Sequence, residues 1–188
     1  MRVVGLDLSL TSAGMSDGRE HWVTRTTPDD ALEARLDRIV NRAQQMVGGT
    51  NVWPREASLV VIEAGAFSRN MQTGHEELAA LRIMVRHAMW RLSIPYAMVT
   101  PTGLKAYTTG YGKATKQQMV AAVAERHGLD LSGVKVKEGR YDMADAFALA
   151  AMGYAHIGQP LPTEGQPAPL ASLLAVNWPT VEITTERN

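Results

Sequence analysis

Cysteine is absent from the chain, which excludes disulfides and thiolate metal sites and leaves oxygen or histidine to ligate any metal. Net charge is absent too, because 19 basic and 19 acidic residues cancel. A strongly basic composition, the usual sign of a nucleic-acid partner, is therefore missing. No apolar run approaches the roughly 18 residues that a membrane helix needs. The first strand starts at residue 2, with no charged leader or cleavage site before it, so a soluble, cytoplasmic protein is expected. With 188 residues, 45% hydrophobic and 20% charged, the chain can bury one globular core.

What is present begins with Arg2 to Leu10, in which Val3, Val4, Leu6, Leu8 and Leu10 read as a strand covered on both faces. Asp7 interrupts it. A carboxylate there costs several kcal/mol unless amides, an arginine or a metal compensate its charge. Short strands are expected at Met15 to Asp17 and Glu20 to Arg25, joined by the turn signal Asp17-Gly18. Thr27-Pro28-Asp29-Asp30 reads as a helix start, and Gly48-Gly49 as its stop. A second buried strand, Leu59 to Ile62, ends on Glu63, and a polar loop carrying Phe67 follows, from Gly65 to Gly74. A long helix is expected from His75 to Leu92, a third buried strand from Tyr96 to Thr100, and a basic loop from Lys105 to Lys113. Thr115 to Gln118 has capping-box spacing for a helix that runs to His127. A basic loop from Asp130 to Gly139 then leads into an alanine-rich helix from Asp142 to His156. Short strand–helix–strand steps imply right-handed parallel crossovers. The expected fold is α/β: a mixed five-stranded sheet, first strand central, with helices on both faces. Residues 1–157 form the domain, and 158–188 a proline-rich, peripheral tail.

Two more acids stand in unsuitable surroundings. Asp142 and Asp145 are three apart, hence on one helix face with about 5–6 Å between them. Asp142 has an ordinary explanation as a helix-start acid. Asp145, among Ala144, Ala146 and Phe147, has none. Asp7 lies within one parallel strand and Glu63 at the carboxyl end of another; if those strands are neighbours, the two carboxylates point at a common place beyond the sheet, where ligands bind in open α/β folds. Four converging carboxylates would protonate unless cations neutralise them. Oxygen-only donors select Mg or Mn, and paired ions about 3.5–4 Å apart serve in-line phosphoryl transfer.

Together Val4-Gly5-Leu6-Asp7, the strand Val60 to Glu63, the loop Gly112 to Lys116 and Asp142-Met143-Ala144-Asp145 resemble RuvC-type Holliday-junction resolvases of the ribonuclease H-like superfamily. The resemblance spans about residues 2–157 and is nearest to divergent bacteriophage-borne members. It implies a metal-dependent endonuclease that nicks four-way DNA junctions symmetrically, leaving 5′-phosphate and 3′-hydroxyl ends. It also implies a homodimer working at the nucleoid or in a phage-infected bacterial cytoplasm. Asp7, Glu63, Asp142 and Asp145 match the family's metal ligands, for two Mg2+ or Mn2+ ions. Lys105 and Lys116 match the basic residues that flank the scissile phosphate. Phe67, Arg69 and Asn70, with Lys113, Lys135 and Lys137 of the basic loops, are the candidate DNA contacts. Phe67 either wedges into the junction or anchors its own loop. Two departures stand out: Leu8-Ser9 replaces the usual Pro-Gly after the first Asp, and Ala66 holds the usual wedge position.

Ile83, Met84, Met89 and Trp90 put more apolar bulk on the long helix than one sheet face requires. Either a twofold partner covers them or the patch around Leu173 and Trp178 does. Other activities share part of this pattern: ribonuclease H acting on RNA–DNA hybrids, a branched-DNA-binding protein without catalysis, and the first phosphate loop of actin-like sugar kinases.

Overall fold

The computed structural model describes residues 1–48, 56–65, 74–162 and 170–181. Its strands are β1 (Val3–Asp7), β2 (Ser12–Ser16), β3 (His21–Arg25), β4 (Leu59–Glu63) and β5 (Tyr96–Val99). The helices are α1 (Leu32–Val47), α2 (His75–Arg91), α3 (Pro101–Thr109), α4 (Lys116–His127), α5 (Arg140–His156) and α6 (Leu170–Leu174). The sheet order is β3-β2-β1-β4-β5, with β1 central as expected. β1, β4 and β5 are parallel, and β2 and β3 antiparallel to their neighbours.

Alternation along the strands sorts the core into two layers. Val4, Leu6, Leu8, Val60 and Ile62 face α1 and α2. Val3, Leu59, Val61 and Val99 face the other way, onto α3, α4 and α5. At the opening end of β1, Arg2 and Asp17 form a fully buried ion pair of 3.0 Å. Arg2 also donates to the carbonyls of Met46, at 2.6 Å, and Val47, so it closes the C-terminus of α1.

Several expectations change. Thr27 to Asp30 is a turn rather than a helix start: Thr27 Oγ1 accepts from the Asp29 N–H, and the Thr27 carbonyl from the Asp30 N–H. Side-chain bonding of this local kind competes with helix initiation. Lys105 lies not in a loop but within α3. Thr100 caps that helix by accepting from the Gly103 N–H at 3.1 Å, Pro101 occupies its first turn, and Gly110 ends it with φ 79°. The capping box predicted at Thr115 is present. Leu173 and Trp178 do not cover α2; they pack on the opposite layer, where Trp178 stacks on His156 at 4.2 Å. Met89 is buried in the core, whereas Ile83, Met84 and Trp90 are exposed.

Candidate active site

The β1–β4 register pairs Leu6 with Ile62, so Asp7 and Glu63 come next in line on neighbouring parallel strands. Asp7 continues the Val3, Gly5 side of β1, and Glu63 continues the Leu59, Val61 side of β4. Both therefore project onto the α5 layer, beyond the carboxyl end of the sheet. What brings α5 to them is the absence of side chains beneath it. A methyl group on Gly5 would stand 2.1 Å from the Ala146 carbonyl oxygen, and one on Gly14 equally near that of Asp142. The alanines of α5 and these two glycines let helix and sheet meet backbone to backbone, which sets Asp142 and Asp145 beside Asp7.

The electrostatics are those of crowded, desolvated acids. Burial pushes the Asp7 carboxyl far above the usual range, and Glu63, Asp145 and Asp142 push it further; Lys116 pulls it back. Burial likewise raises Glu63, which shares a hydrogen bond with Asp7. Asp145 is raised to about 7, first by burial and then by Glu63 and Asp142, against the pull of Lys116 and Lys105. Asp142 accepts a hydrogen bond from Ser12 Oγ on β2. The structure thus gathers Asp7, Glu63, Asp142, Asp145, Lys105 and Lys116 at one end of the sheet. Lys116 opens α4, with its Nζ 5.8 Å from the centre of the Tyr141 ring.

Other sequence candidates stand apart. Lys113, Lys135 and Lys137 are exposed, and Lys135 pairs loosely with Glu138 at 3.9 Å. Phe67, Arg69 and Asn70 lie outside the described residues. Sequence reasoning missed Ser12, Tyr141 and Arg82 as neighbours of the cluster. Only tertiary proximity reveals them: Ser12 and Asp142 are 130 residues apart.

A divalent cation fits this donor set by its chemistry, since all four carboxylates offer oxygen and burial disfavours free charge on Asp7, Glu63 and Asp145. Among the described residues, no group of three acidic or histidine side chains is gathered tightly enough to hold an ion as it stands. Ser12 holds Asp142, and Asp7 and Glu63 share a hydrogen bond.

Buried carboxylates beside lysines, at the carboxyl ends of parallel strands, define the class: a metal-dependent nuclease built on an open α/β sheet. The family model for the crossover junction endodeoxyribonuclease RuvC matches residues 10–153. The RuvC of Carboxydothermus hydrogenoformans is 28% identical over 166 residues, covering 84% of this chain and 98% of the relative. That of Salinispora arenicola is 31% identical over 162 residues, covering 80% and 85%. Thermus thermophilus RuvC, solved in complex with a Holliday junction substrate, matches the fold with a TM-score of 0.64 at 21% identity, over 86% of this chain and 99% of that one. The chain belongs to the RuvC family of crossover junction endodeoxyribonucleases, and its sheet is ribonuclease H-like. Among the described residues, no helix is long and apolar enough to cross a membrane.

Proposed function

We propose that the chain resolves four-way DNA junctions by paired symmetric nicks, each leaving a 5′-phosphate and a 3′-hydroxyl. The observation that carries this reading is the convergence of Asp7, Glu63, Asp142 and Asp145 beside Lys105 and Lys116 in a chain of this family. The four acids would hold two Mg2+ or Mn2+ ions, which when bound supply an activated water and charge stabilisation for in-line phosphoryl transfer. The chain's own part is to bind and orient. Lys116 and Lys105 hold the scissile phosphate and offset its growing charge. Ser12 fixes one rotamer of Asp142, and the Gly5 and Gly14 contacts keep α5 in register with the strands.

Phe67, Arg69 and Asn70, which follow β4 in the sequence, would contact the junction, as would the exposed Lys113, Lys135 and Lys137. Residues 1–157 form the nuclease unit, and 158–188 are a proline-rich tail, of which Leu161, Leu173, Val176 and Trp178 pack on the α5 layer. A junction has twofold symmetry, and a symmetric dimer through the exposed face of α2 would match it. The work would lie in the cytoplasm, at the nucleoid or in an infected cell. Incubation with Mg2+ and four-way junction, flap and RNA–DNA hybrid substrates tests the reading. Paired nicks on the junction are expected; cleavage confined to the RNA of hybrids, or binding without cleavage, would refute it.

A further inference from the structure

Arg82 is a cation that the acid cluster does not explain. It rises from α2, on the opposite face of the sheet from α3, α4 and α5, and reaches round the end of β4. A methyl group on Gly65 would stand 3.2 Å from its Nη1, so the guanidinium lies close against the Gly65 backbone. Of the three cations that act on Glu63, Arg82 acts most strongly, ahead of Lys116 and Lys105. Yet among the described residues no ion pair joins it to a carboxylate. Its Nε is shut off from water and has no hydrogen-bond partner. A half-buried guanidinium with an unused donor carries a desolvation cost that the attraction of Glu63 and Asp7 only partly offsets. The Arg82 side chain as a whole is partly exposed, so an oxyanion arriving from outside can reach the guanidinium, whose planar donor fork suits a phosphate.

We propose that Arg82 is a third contact to the cleaved DNA strand, taking a backbone phosphate next to the scissile one on the α2 side of the cluster. Lys105 and Lys116 approach from the other face of the sheet, so the strand would be held from both sides of Glu63. The attraction of Glu63 and Asp7 keeps the guanidinium at the rim without using up its donors. This inference rests on the junction-resolving reading above.

The test is junction binding without cleavage, in EDTA, by fluorescence anisotropy across a range of salt concentrations. Each lost phosphate contact lowers the slope of log affinity against log salt by about 0.9. Arg82→Gln should lower the slope by that amount for each protomer bound, at an unchanged melting temperature. Arg82→Lys, which keeps the charge, should keep the slope. A second arm uses junctions with a single methylphosphonate at each position around the cut. Wild type should lose affinity at one flanking phosphate, and Arg82→Gln should lose nothing further there. An unchanged slope in Arg82→Gln overturns the proposal, above all if less Mg2+ then half-saturates cleavage, because Arg82 would merely tune the acids. Should Arg82→Gln fail to fold, the methylphosphonate scan on wild type decides: no loss at any phosphate but the scissile one overturns it. Wild type that fails to prefer a junction over duplex sinks the underlying reading, and this proposal with it.

Discussion

Asp7 and Asp145 hold their protons where free carboxyls have lost them, and this gives the metal-free protein a pH dependence of known sign. An acid raised from 3.8 to about 7, as Asp145 is, leaves the fold less stable as pH climbs through that window, because the unfolded chain ionises first. In EDTA, Asp145 should therefore take stability from wild type between pH 5 and pH 8, against the opposite contribution of His21, His127 and His156, which burial makes harder to protonate. Asp145→Asn should gain in melting temperature relative to wild type over that range, and Mg2+ should raise the melting temperature of wild type more than that of the variant. Equal pH profiles for the two proteins would show that Asp145 is not strained. Junction cleavage by the same variant should fall about 10³-fold or more, since bound-ion charge stabilisation is worth several kcal/mol. Lys116→Met should cost about 10²–10³ in single-turnover rate. Asp7, Glu63 and Asp145 are legible in the sequence because nothing about a buried strand or an alanine-rich helix explains a carboxylate. Arg82 is not legible. On a helical pattern it reads as one more solvated charge, and only its approach to Gly65, just past the end of β4, places it near the site.

At the scale of elements, the site depends on how closely α5 lies against β1 and β2. Gly5→Ala would drive its Cβ to 2.1 Å from the Ala146 carbonyl oxygen and 2.5 Å from the Ala150 nitrogen, both backbone atoms that cannot rotate away. The helix must lift, at about 1–3 kcal/mol for an overpacked core. Asp142 and Asp145 would lift with it. The expected outcome is a melting temperature several degrees lower, with cleavage reduced even at temperatures where the variant is fully folded by circular dichroism. Full activity in the folded variant would mean that the acids tolerate displacement. The buried strands and the capping box before α4 could be read from the sequence, since apolar runs and caps are local signals. α3 could not be read so easily. Its lysine, with Gly110 and Gly112 just after it, suggests a loop, while the cap that makes it a helix, Thr100 with Pro101, looks like a strand ending. The start of α1 failed for the converse reason: Thr27 has a capping side chain but spends it on its own turn.

For the whole molecule, the open question is what covers α2. The tail was one candidate, but Leu173, Val176 and Trp178 pack against the other layer of the core. That leaves Trp90 71% exposed and Ile83 62% exposed, on a helix whose buried side is already filled by Leu81, Val85 and Met89. Met84 and Leu92 continue the patch into a groove shared with Val40 of α1. A large aromatic beside such a groove is the usual anchor of an interface, and a twofold copy would present the same anchor and groove in return. Ile83→Asp places a charge in the middle of that contact without touching the monomer's core. Sedimentation should show wild type as a dimer at micromolar concentration and the variant as a monomer, with melting of the fold little changed. The activity readout separates pairing from chemistry. On a supercoiled plasmid with an extruded cruciform, paired nicks give linear DNA, whereas uncoupled monomers give nicked circles. Ile83→Asp should shift the product from linear to nicked while cutting still depends on Mg2+. A variant that stays dimeric and still linearises the plasmid would place the twofold axis on another face.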